Sequence, residues 1–203
     1  MNQDLPQIRI AIFASGQGTN AREIIRYFKD GRNPVRGHRV KIALIVSSKP
    51  GAGVLEIAAW EGIQELIINK EEFSRGSHYL QELNSLGIDF IVLAGFLWKI
   101  PKELIAAYPD RILNIHPALL PAFGGKGMYG HAVHAAVVAA GSAESGITIH
   151  YVDELYDHGR VFFQSGFKLS PGETAESLAE KIHRLEHRHY PEQIARWIDA
   201  NYR

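Results

Sequence analysis

Five short apolar runs alternate with segments of helical periodicity over the first 116 residues, and this alternation limits the possible folds more than any other feature. The runs are IRIAIFA (8–14), KIALIVS (41–47), QELIIN (64–69), IDFIVLAG (88–95) and RILNIH (111–116). Such an alternation predicts strands joined by crossover helices into a parallel sheet. Because the runs are almost continuously apolar, helices should cover both faces of that sheet. The pattern does not give the order of the strands.

The helix after the first run is predicted from apolar residues at helical spacing: Ala21, Ile24, Ile25 and Phe28. Asn20 and Glu23 are placed like a capping box, and Gly31 is placed like a stop signal. Two further helices are predicted around residues 54–60 and 78–86. Pro101 suits the first turn of another helix, which follows the fourth apolar run.

The pattern changes after residue 116. A loop rich in Pro and Gly (117–130) precedes a short helix that Gly141 ends. Two strand-like patterns, GITIHYV (146–152) and RVFFQSGFKL (160–169), predict antiparallel additions to the sheet. A last amphipathic helix presents one apolar face, formed by Ala175, Leu178, Ala179, Ile182 and Leu185. Pro191 is predicted to open a separate final helix that ends near Ile198. The expected fold is α/β, a Rossmann-like and mostly parallel sheet with helices on both faces, in a single domain over residues 1–203.

Composition narrows the function classes. The chain has 203 residues, is 46% hydrophobic, and carries 22 basic and 22 acidic side chains, so it can bury one sizeable core and has no net charge. No block of basic residues suggests a nucleic-acid surface. The absence of cysteine excludes disulfides, a thiolate nucleophile and Cys-ligated zinc. No apolar run reaches membrane-spanning length, and we expect a cytoplasmic protein that binds neither nucleic acid nor membrane.

The stretch SGQGTN (15–20) follows the first strand and predicts an anion-binding loop. Gly16 and Gly18 allow backbone N–H groups to converge at the N-terminus of the next helix, where the helix dipole attracts an anion. The dinucleotide fingerprint is incomplete, because Ala21 replaces its third glycine and no acidic residue ends the second strand. No Lys follows as in a triphosphate loop. A terminal monophosphate therefore fits this loop better than a dinucleotide or a triphosphate. The same sequence is also compatible with a helix that simply begins after a tight glycine turn and binds no anion.

Two polar residues, Asn114 and His116, end an otherwise apolar strand and project to the same side. Ligands of open α/β sheets lie beyond the carboxyl ends of the strands, where this pair falls. A third polar cluster, VDELYDHG (152–159), supplies Asp153, Glu154, Asp157 and His158. A carboxylate beside His116 would favour its charged form, and an Asn with an imidazolium can stabilise an oxyanion. No Ser or Cys stands out as a nucleophile, which favours acyl transfer between two bound molecules.

Together, SGQGTN, LAGFLWKI (93–100), LNIHPALLP (113–121) and GITIHYVDELYDHG (146–159) resemble the ordered motifs of the folate-dependent phosphoribosylglycinamide formyltransferases, from about Ile8 to Ile198. This resemblance implies transfer of a formyl group from 10-formyltetrahydrofolate to the amine of glycinamide ribonucleotide in purine synthesis, with no metal. It implies that the catalytic residues are Asn114, His116 and Asp157. It implies that the ribonucleotide is bound by Gly18, Thr19, Asn20, Glu186 and His183. It implies that the folate is bound by Arg75, Leu97, Trp98, Lys99, Ile100, Asp153 and Glu154. A weak homodimer is a further expectation.

The sequence departs from the resembled motifs in three places. The Gly-rich loop that includes residues 123–130 is longer than the common form, with His134 matching the histidine of the following helix. His183 stands where some members have Gln, and Arg160 where Pro is frequent.

Other function classes stay open at this point. A formyltetrahydrofolate hydrolase is expected to carry an additional N-terminal domain, and a methionyl-tRNA formyltransferase is expected to carry an additional C-terminal domain. A sugar-nucleotide formyltransferase is harder to exclude by length, and the phosphate loop is the evidence against it. A nucleotide-binding module without turnover is a different class. A metal enzyme is another, but His187 and His189 are poorly spaced for a helical ligand pair.

Overall fold

A single seven-stranded sheet forms the centre of the molecule, in a computed structural model that describes residues 5–29, 35 and 37–202. The strands are β1 (Gln7–Phe13), β2 (Arg39–Ser47), β3 (Gln64–Ile67), β4 (Phe90–Leu93), β5 (Ile112–His116), β6 (Glu144–Tyr151) and β7 (Val161–Lys168). Their order is β3-β2-β1-β4-β5-β6-β7. The first five strands are parallel, β6 is antiparallel to β5, and β7 is antiparallel to β6. The predicted mixed α/β fold is therefore confirmed.

Seven helices are described around the sheet: α1 (Thr19–Lys29), α2 (Gly53–Glu61), α3 (Lys70–Arg75), α4 (Ser77–Ser85), α5 (Lys102–Ala107), α6 (His131–Ala139) and α7 (Ala175–Asn201). Alternate residues of the strands belong to two different apolar clusters. In β1, Ile10 and Ile12 pack in one cluster, whereas Ala11 and Phe13 pack in the other. Both faces of the sheet are thus covered at its centre, which explains why the central strands β1, β4 and β5 are mostly apolar, whereas the edge strand β3 is largely exposed. None of the helices in the described ranges has the length and hydropathy needed to span a membrane.

The start of α1 differs from the prediction. The helix begins at Thr19, so Asn20 lies inside it, and its Nδ2 donates to Glu186 Oε2 (2.9 Å) instead of forming a capping box with Glu23. The predicted stop at Gly31 lies outside the described residues. Pro101 occupies the N-cap position and α5 begins one residue later. Helix α3 was not predicted, because its sequence KEEFSR is polar apart from the buried Phe73.

The end of the chain corrects another expectation. Pro191 does not open a new helix but lies inside α7, which runs for 27 residues. A proline removes one intrahelical hydrogen bond, but the flanking residues Tyr190, Ile194 and Trp197 are fully buried, and their packing favours a continuous helix. The hydroxyl of Tyr190 donates to the carbonyls of Leu93 in β4 (2.9 Å) and Leu113 in β5 (3.2 Å). Helix α7 is therefore fixed to the centre of the sheet.

The strand order determines where a ligand can bind. From β1 the chain proceeds outward to β2 and β3, then returns to place β4 on the other side of β1 and continues to β5. Such a reversal opens a crevice beyond the carboxyl ends of the central strands. The glycine loop follows β1, and Asn114 and His116 end β5. The fold therefore places the two sequence features at neighbouring edges of one crevice.

Candidate functional site

A cleft of about 730 Å³ lies beyond the carboxyl ends of β1, β4 and β5. It is lined by most of the residues that the sequence singled out: Gly18, Thr19, Asn20, Leu97, Trp98, Lys99, Ile100, Asn114, His116, Asp153, Asp157, His183 and Glu186. Arg75 and Glu154 are not among its lining residues. The exposed guanidinium of Arg75 pairs with Glu71 of its own helix (2.6 Å), and Glu154 is exposed on the loop after β6.

The glycine loop forms one end of the cleft. In the described chain, the N–H groups of Gln17, Gly18 and Thr19 donate no hydrogen bond to other backbone groups, and they precede the 11-residue helix α1. Gly18 has a φ of 75° and packs tightly against Val54 of α2. Ser15 Oγ and Ser48 Oγ lie 2.5 Å apart and link the loop to the end of β2. Free N–H groups at a helix N-terminus suit an anion such as a phosphate.

Two residues of α7 lie beside this loop. Glu186 is only 6% exposed and accepts the hydrogen bond from Asn20, whereas His183 is exposed. Burial raises the pKa of Glu186 above its ordinary value, although the hydrogen bond from Asn20 and the proximity of His183 oppose this shift. The buried carboxyl group therefore offers the cleft a hydrogen-bonding partner next to the glycine loop.

Asn114 has a partner that the sequence prediction missed. His150 stands opposite Asn114 in the antiparallel pairing of β5 and β6, on the same face of the sheet. His150 donates from Nδ1 to the carbonyl of Tyr151 (2.8 Å), so its Nε2 accepts a hydrogen bond from Asn114 Nδ2 (3.0 Å). The same Nε2 lies 3.7 Å from Asp157 Oδ1. His150 thus holds the Asn114 amide in place and leaves its second N–H unassigned.

His116 is held between Asp157 and the Gly-rich loop. Its Nε2 donates to the carbonyl of Phe123 (2.8 Å), and its Nδ1 lies 3.5 Å from Asp157 Oδ2. The N–H of Gly125 donates to the same carboxylate oxygen (2.9 Å). Because a carbonyl only accepts, the proton of the neutral ring lies on Nε2, and the lone pair of Nδ1 faces Asp157.

The protonation of this pair differs from the sequence-based expectation. Burial lowers the pKa of His116, and the charge of Asp157 and the Phe123 carbonyl, which oppose this effect, do not overcome it. Burial works to raise the pKa of Asp157, but His150, His116 and the Gly125 N–H outweigh it, so this pKa lies below its ordinary value. At neutral pH the free protein therefore combines a neutral His116 with an ionised Asp157, and not an imidazolium with a carboxylate.

Asp157 lies at the end of a compact loop after β6. The N–H of Tyr151 donates to the carbonyl of Arg160 (2.9 Å) and closes the base of this loop. Asp153 stabilises its interior, because its carboxylate accepts from the N–H of Leu155 (2.8 Å) and contacts His158 Nδ1 (2.7 Å). Asp157 itself has a φ of 53°, an uncommon conformation for a residue with a Cβ. The loop geometry thus directs the Asp157 carboxylate toward His116.

The remaining wall of the cleft is apolar. The segment Leu97–Ile100 follows β4, and Trp98 packs against Phe73 and Phe96, with ring centroids 6.0 and 6.1 Å apart. Four of the large apolar side chains exposed in the described chain line this cleft: Leu97, Tyr129, Leu155 and Tyr156. Exposed apolar side chains gathered at one concave site are typical of a binding site for a largely apolar ligand.

The histidines of α7 do not assemble a metal site. His183 and His187 stack with ring centroids 6.3 Å apart, and His189 instead contacts the ring of Phe163 (5.2 Å). Among the residues that the structure describes, no three His, Asp or Glu side chains are grouped to hold a metal ion.

Comparison with known proteins gives consistent matches. The family model described as "Formyl transferase" matches residues 8–194. The chain is 44% identical over 191 residues to the chloroplastic phosphoribosylglycinamide formyltransferase of Arabidopsis thaliana, covering 92% of this chain and 64% of that one. It is 34% identical to the phosphoribosylglycinamide formyltransferase of Bacillus subtilis (strain 168), covering 96% of this chain and 97% of that one.

A solved structure gives the same match. The crystal structure of phosphoribosylglycinamide formyltransferase from Bacillus halodurans superposes with a TM-score of 0.83 at 37% identity, covering 94% of this chain and 95% of that one. The chain spans less than two thirds of the length of two plant relatives, 64% for Arabidopsis thaliana and 59% for Vigna unguiculata. The family match covers all seven strands and both ends of the cleft. The chain belongs to the formyl transferase family, among its phosphoribosylglycinamide formyltransferases.

Proposed function

We propose that the protein transfers the formyl group of 10-formyltetrahydrofolate to the amine of glycinamide ribonucleotide, as in purine biosynthesis. One observation carries this proposal: a single cleft has an anion-binding loop at one end and the Asn114, His116 and Asp157 side chains at the other. An acceptor with a terminal phosphate and a distant amine fits such a cleft. The names of the relatives point to the same substrate.

The acceptor would bind with its phosphate on the glycine loop. Gly18, Thr19 and Asn20 line this end, where loop N–H groups and the α1 dipole attract the anion. Glu186 would accept a hydroxyl hydrogen bond from the ribose, and His183 would approach the phosphate from α7. These contacts direct the amine toward His116.

The folate would occupy the apolar part of the cleft. Leu97, Trp98, Lys99 and Ile100 line one wall. The loop with Asp153, Glu154 and Asp157 would close over the pterin ring. Arg75 is a weaker candidate, because it lies outside the lining and already pairs with Glu71.

The reaction needs no covalent bond to the protein. The amine nitrogen forms a bond to the formyl carbon, and the carbonyl electron pair moves to oxygen. The second N–H of Asn114 donates to this oxyanion, since its first N–H is directed at His150. The carbonyl then forms again, the bond from carbon to N10 of the folate breaks, and the proton lost by the amine moves to N10.

His116 and Asp157 would move that proton. Neutral His116 would accept it on Nδ1, because Nε2 already carries a proton and donates to the Phe123 carbonyl. Asp157, 3.5 Å from Nδ1, would stabilise the imidazolium formed. His116 would therefore become an imidazolium only during the reaction, and not in the free protein as the sequence suggested, because burial keeps the ring neutral until a substrate supplies the proton.

A coupled assay tests the proposed transfer. Tetrahydrofolate release from 10-formyltetrahydrofolate is followed with and without glycinamide ribonucleotide. Release that requires the ribonucleotide is expected. Release at the same rate without it would instead establish a hydrolase, and release only with a sugar nucleotide or a methionyl-tRNA would establish a related transferase.

The proposal extends to the domain organisation, location and oligomeric state of the protein. We propose one formyltransferase domain over residues 1–203, since one sheet includes every described strand. Cytoplasmic action and a weak homodimer are parts of the same proposal, and some relatives carry the word chloroplastic in their names. Sedimentation analysis over a range of concentrations tests the dimer.

A further inference from the structure

His134 is the exception among the buried polar side chains of the cleft wall. Five such side chains line it: Ser15, His116, His134, His150 and Glu186. Four of them have a hydrogen bond within the protein, to Ser48, Phe123, Asn114 and Asn20 respectively. His134 is 3% exposed, and its Nδ1 has no hydrogen-bond partner in the described chain. Its pKa is shifted by burial and by neighbouring charges, with no contribution from a hydrogen bond. Buried polar groups are rarely left in this state without a reason.

The position of His134 indicates which part of a ligand it would meet. It lies on α6, and the groups whose charges act on it are His183 of α7, His131 of its own helix and His116 of β5. His183 lies one turn before Glu186, which bonds to Asn20 beside the glycine loop, whereas His116 lies beside Asp157 at the proposed reacting end. His134 therefore faces the middle of the cleft, between the two ends.

The same surroundings fix the chemical form of the ring. Burial lowers the pKa of His134 to about 4, and the charges of His183, His131 and His116 act in the same direction, so the ring is neutral at neutral pH. A neutral imidazole offers one N–H and one lone pair, and it matches a hydroxyl or an amide better than a phosphate.

We propose that His134 is a substrate-binding residue, which hydrogen-bonds a hydroxyl or amide group of the formyl acceptor between its phosphate and its reacting amine. This rests on the proposed function and adds a contact to it. The ligand supplies the hydrogen-bond partner that the protein leaves out. Its role is to align the acceptor, and not to transfer a proton.

Steady-state kinetics with four variants test this contact. His134→Leu removes both ring nitrogens, while His134→Asn and His134→Gln each retain a polar group close to one of them. The matched control is Ser145→Ala on β6, since the Ser145 hydroxyl is also buried without a partner in the described chain but does not line the cleft. Thermal unfolding of each variant checks that it is folded.

His134→Leu is expected to raise the KM for the ribonucleotide by about 5- to 100-fold, because a polar group of the bound ligand is left unsatisfied. The kcat and the KM for 10-formyltetrahydrofolate should change by less than about threefold. Replacement of His134 by either Asn or Gln should restore most of the lost affinity for the ribonucleotide, and Ser145→Ala should behave like wild type. The ratio of the ribonucleotide KM of His134→Leu to that of wild type should stay constant between about pH 6 and pH 8, since the imidazole ring of His134 remains neutral in this range.

An unchanged ribonucleotide KM in a folded His134→Leu variant overturns the inference. So does an equal rise in both KM values without rescue by Asn or Gln, which would show a general collapse of the cleft. If the Leu variant does not fold, the imidazole ¹⁵N shifts of wild-type His134 during titration with ribonucleotide decide the matter, and unchanged shifts overturn the contact. The absence of ribonucleotide-dependent transfer in the wild-type protein would overturn the proposed function itself. This outcome is distinct from a failure of the His134 contact alone, in which wild-type transfer is retained.

Discussion

Replacement of Gly18 by alanine should destabilise the protein, whereas replacement of the nearby Gly16 should not. Gly18 has a φ of 75°, and a Cβ there would lie 2.8 Å from both Cα and Cβ of Val54 and 2.9 Å from Cδ1 of Ile57. Gly16 has no such backbone conformation, and a Cβ there would meet nothing within 4 Å. The two glycines of the loop therefore have different roles: one permits a close approach to α2, and the other is free of steric constraint.

The expected magnitude follows from two costs. The left-handed conformation costs a residue with a Cβ about 1–2 kcal/mol. Forcing a methyl group against the backbone of Val54 adds about 1–3 kcal/mol, because the Cα atom cannot move aside as a flexible side chain would. The free energy of unfolding of Gly18→Ala should therefore fall by about 2–5 kcal/mol, which corresponds to a Tm lower by about 5–15 °C.

Urea denaturation and thermal unfolding of the two variants and the wild type provide the measurement. Gly16→Ala should remain within about 0.5 kcal/mol of the wild type. Equal stability of Gly18→Ala and Gly16→Ala, or a greater loss for Gly16→Ala, would refute the reasoning. A fall in affinity for inorganic phosphate without a loss of stability in Gly18→Ala would refute the steric part of it.

Three further predictions concern the cleft and its supports. Asn114→Ala should lower kcat by about 10²–10³, because it removes the donor aimed at the oxyanion; a rate within threefold of wild type under saturating substrates would contradict this role. Tyr190→Phe should lower the free energy of unfolding by about 1–2 kcal/mol, because it removes the hydroxyl that donates to the carbonyls of Leu93 and Leu113; urea denaturation measures this, and no change would show that the two carbonyls are satisfied without it. The pKa of His134 is about 4 in the folded protein, so as the pH falls from about 6.5 to 4 this residue is protonated first in the unfolded chain. Wild type should therefore lose about 2–3 kcal/mol of stability over this range, and a folded His134→Gln variant should not. Unfolding curves at pH 7 and at about pH 4.5 test that difference, and equal losses in both proteins would contradict it.

The parallel half of the sheet could be predicted from sequence because strands buried on both faces leave a visible apolar run. The antiparallel additions were also predicted correctly, from β6 and β7. Strand order could not be predicted, since each crossover length is compatible with several neighbours. Helix α3 was missed because only Phe73 in it is buried. The continuity of α7 through Pro191 depends on packing against β4 and β5, and no local sequence signal reports such packing.

The site could be predicted in part. The polar residues at the end of a strand predicted a ligand site beside Asn114 and His116, and both side chains line the cleft that the glycine loop also lines. His150 was missed because a histidine within an alternating strand normally indicates a solvent-exposed position. Its contact with Asn114 depends on the antiparallel register, which pairs residues 36 positions apart. The neutral state of His116 was also out of reach, because it results from burial that a motif does not reveal.

The course of α7 also bears on which connections of the chain can vary in length. Glu186 and Tyr190 lie one turn apart on this helix, the first bonded to Asn20 at the cleft and the second to the carbonyls of β4 and β5. The spacing between the anion loop and the end of β5 is therefore fixed by the helix itself. The exposed residues 170–172 of the turn before it carry none of these contacts, so residues added there should lengthen the chain without moving either end of the cleft.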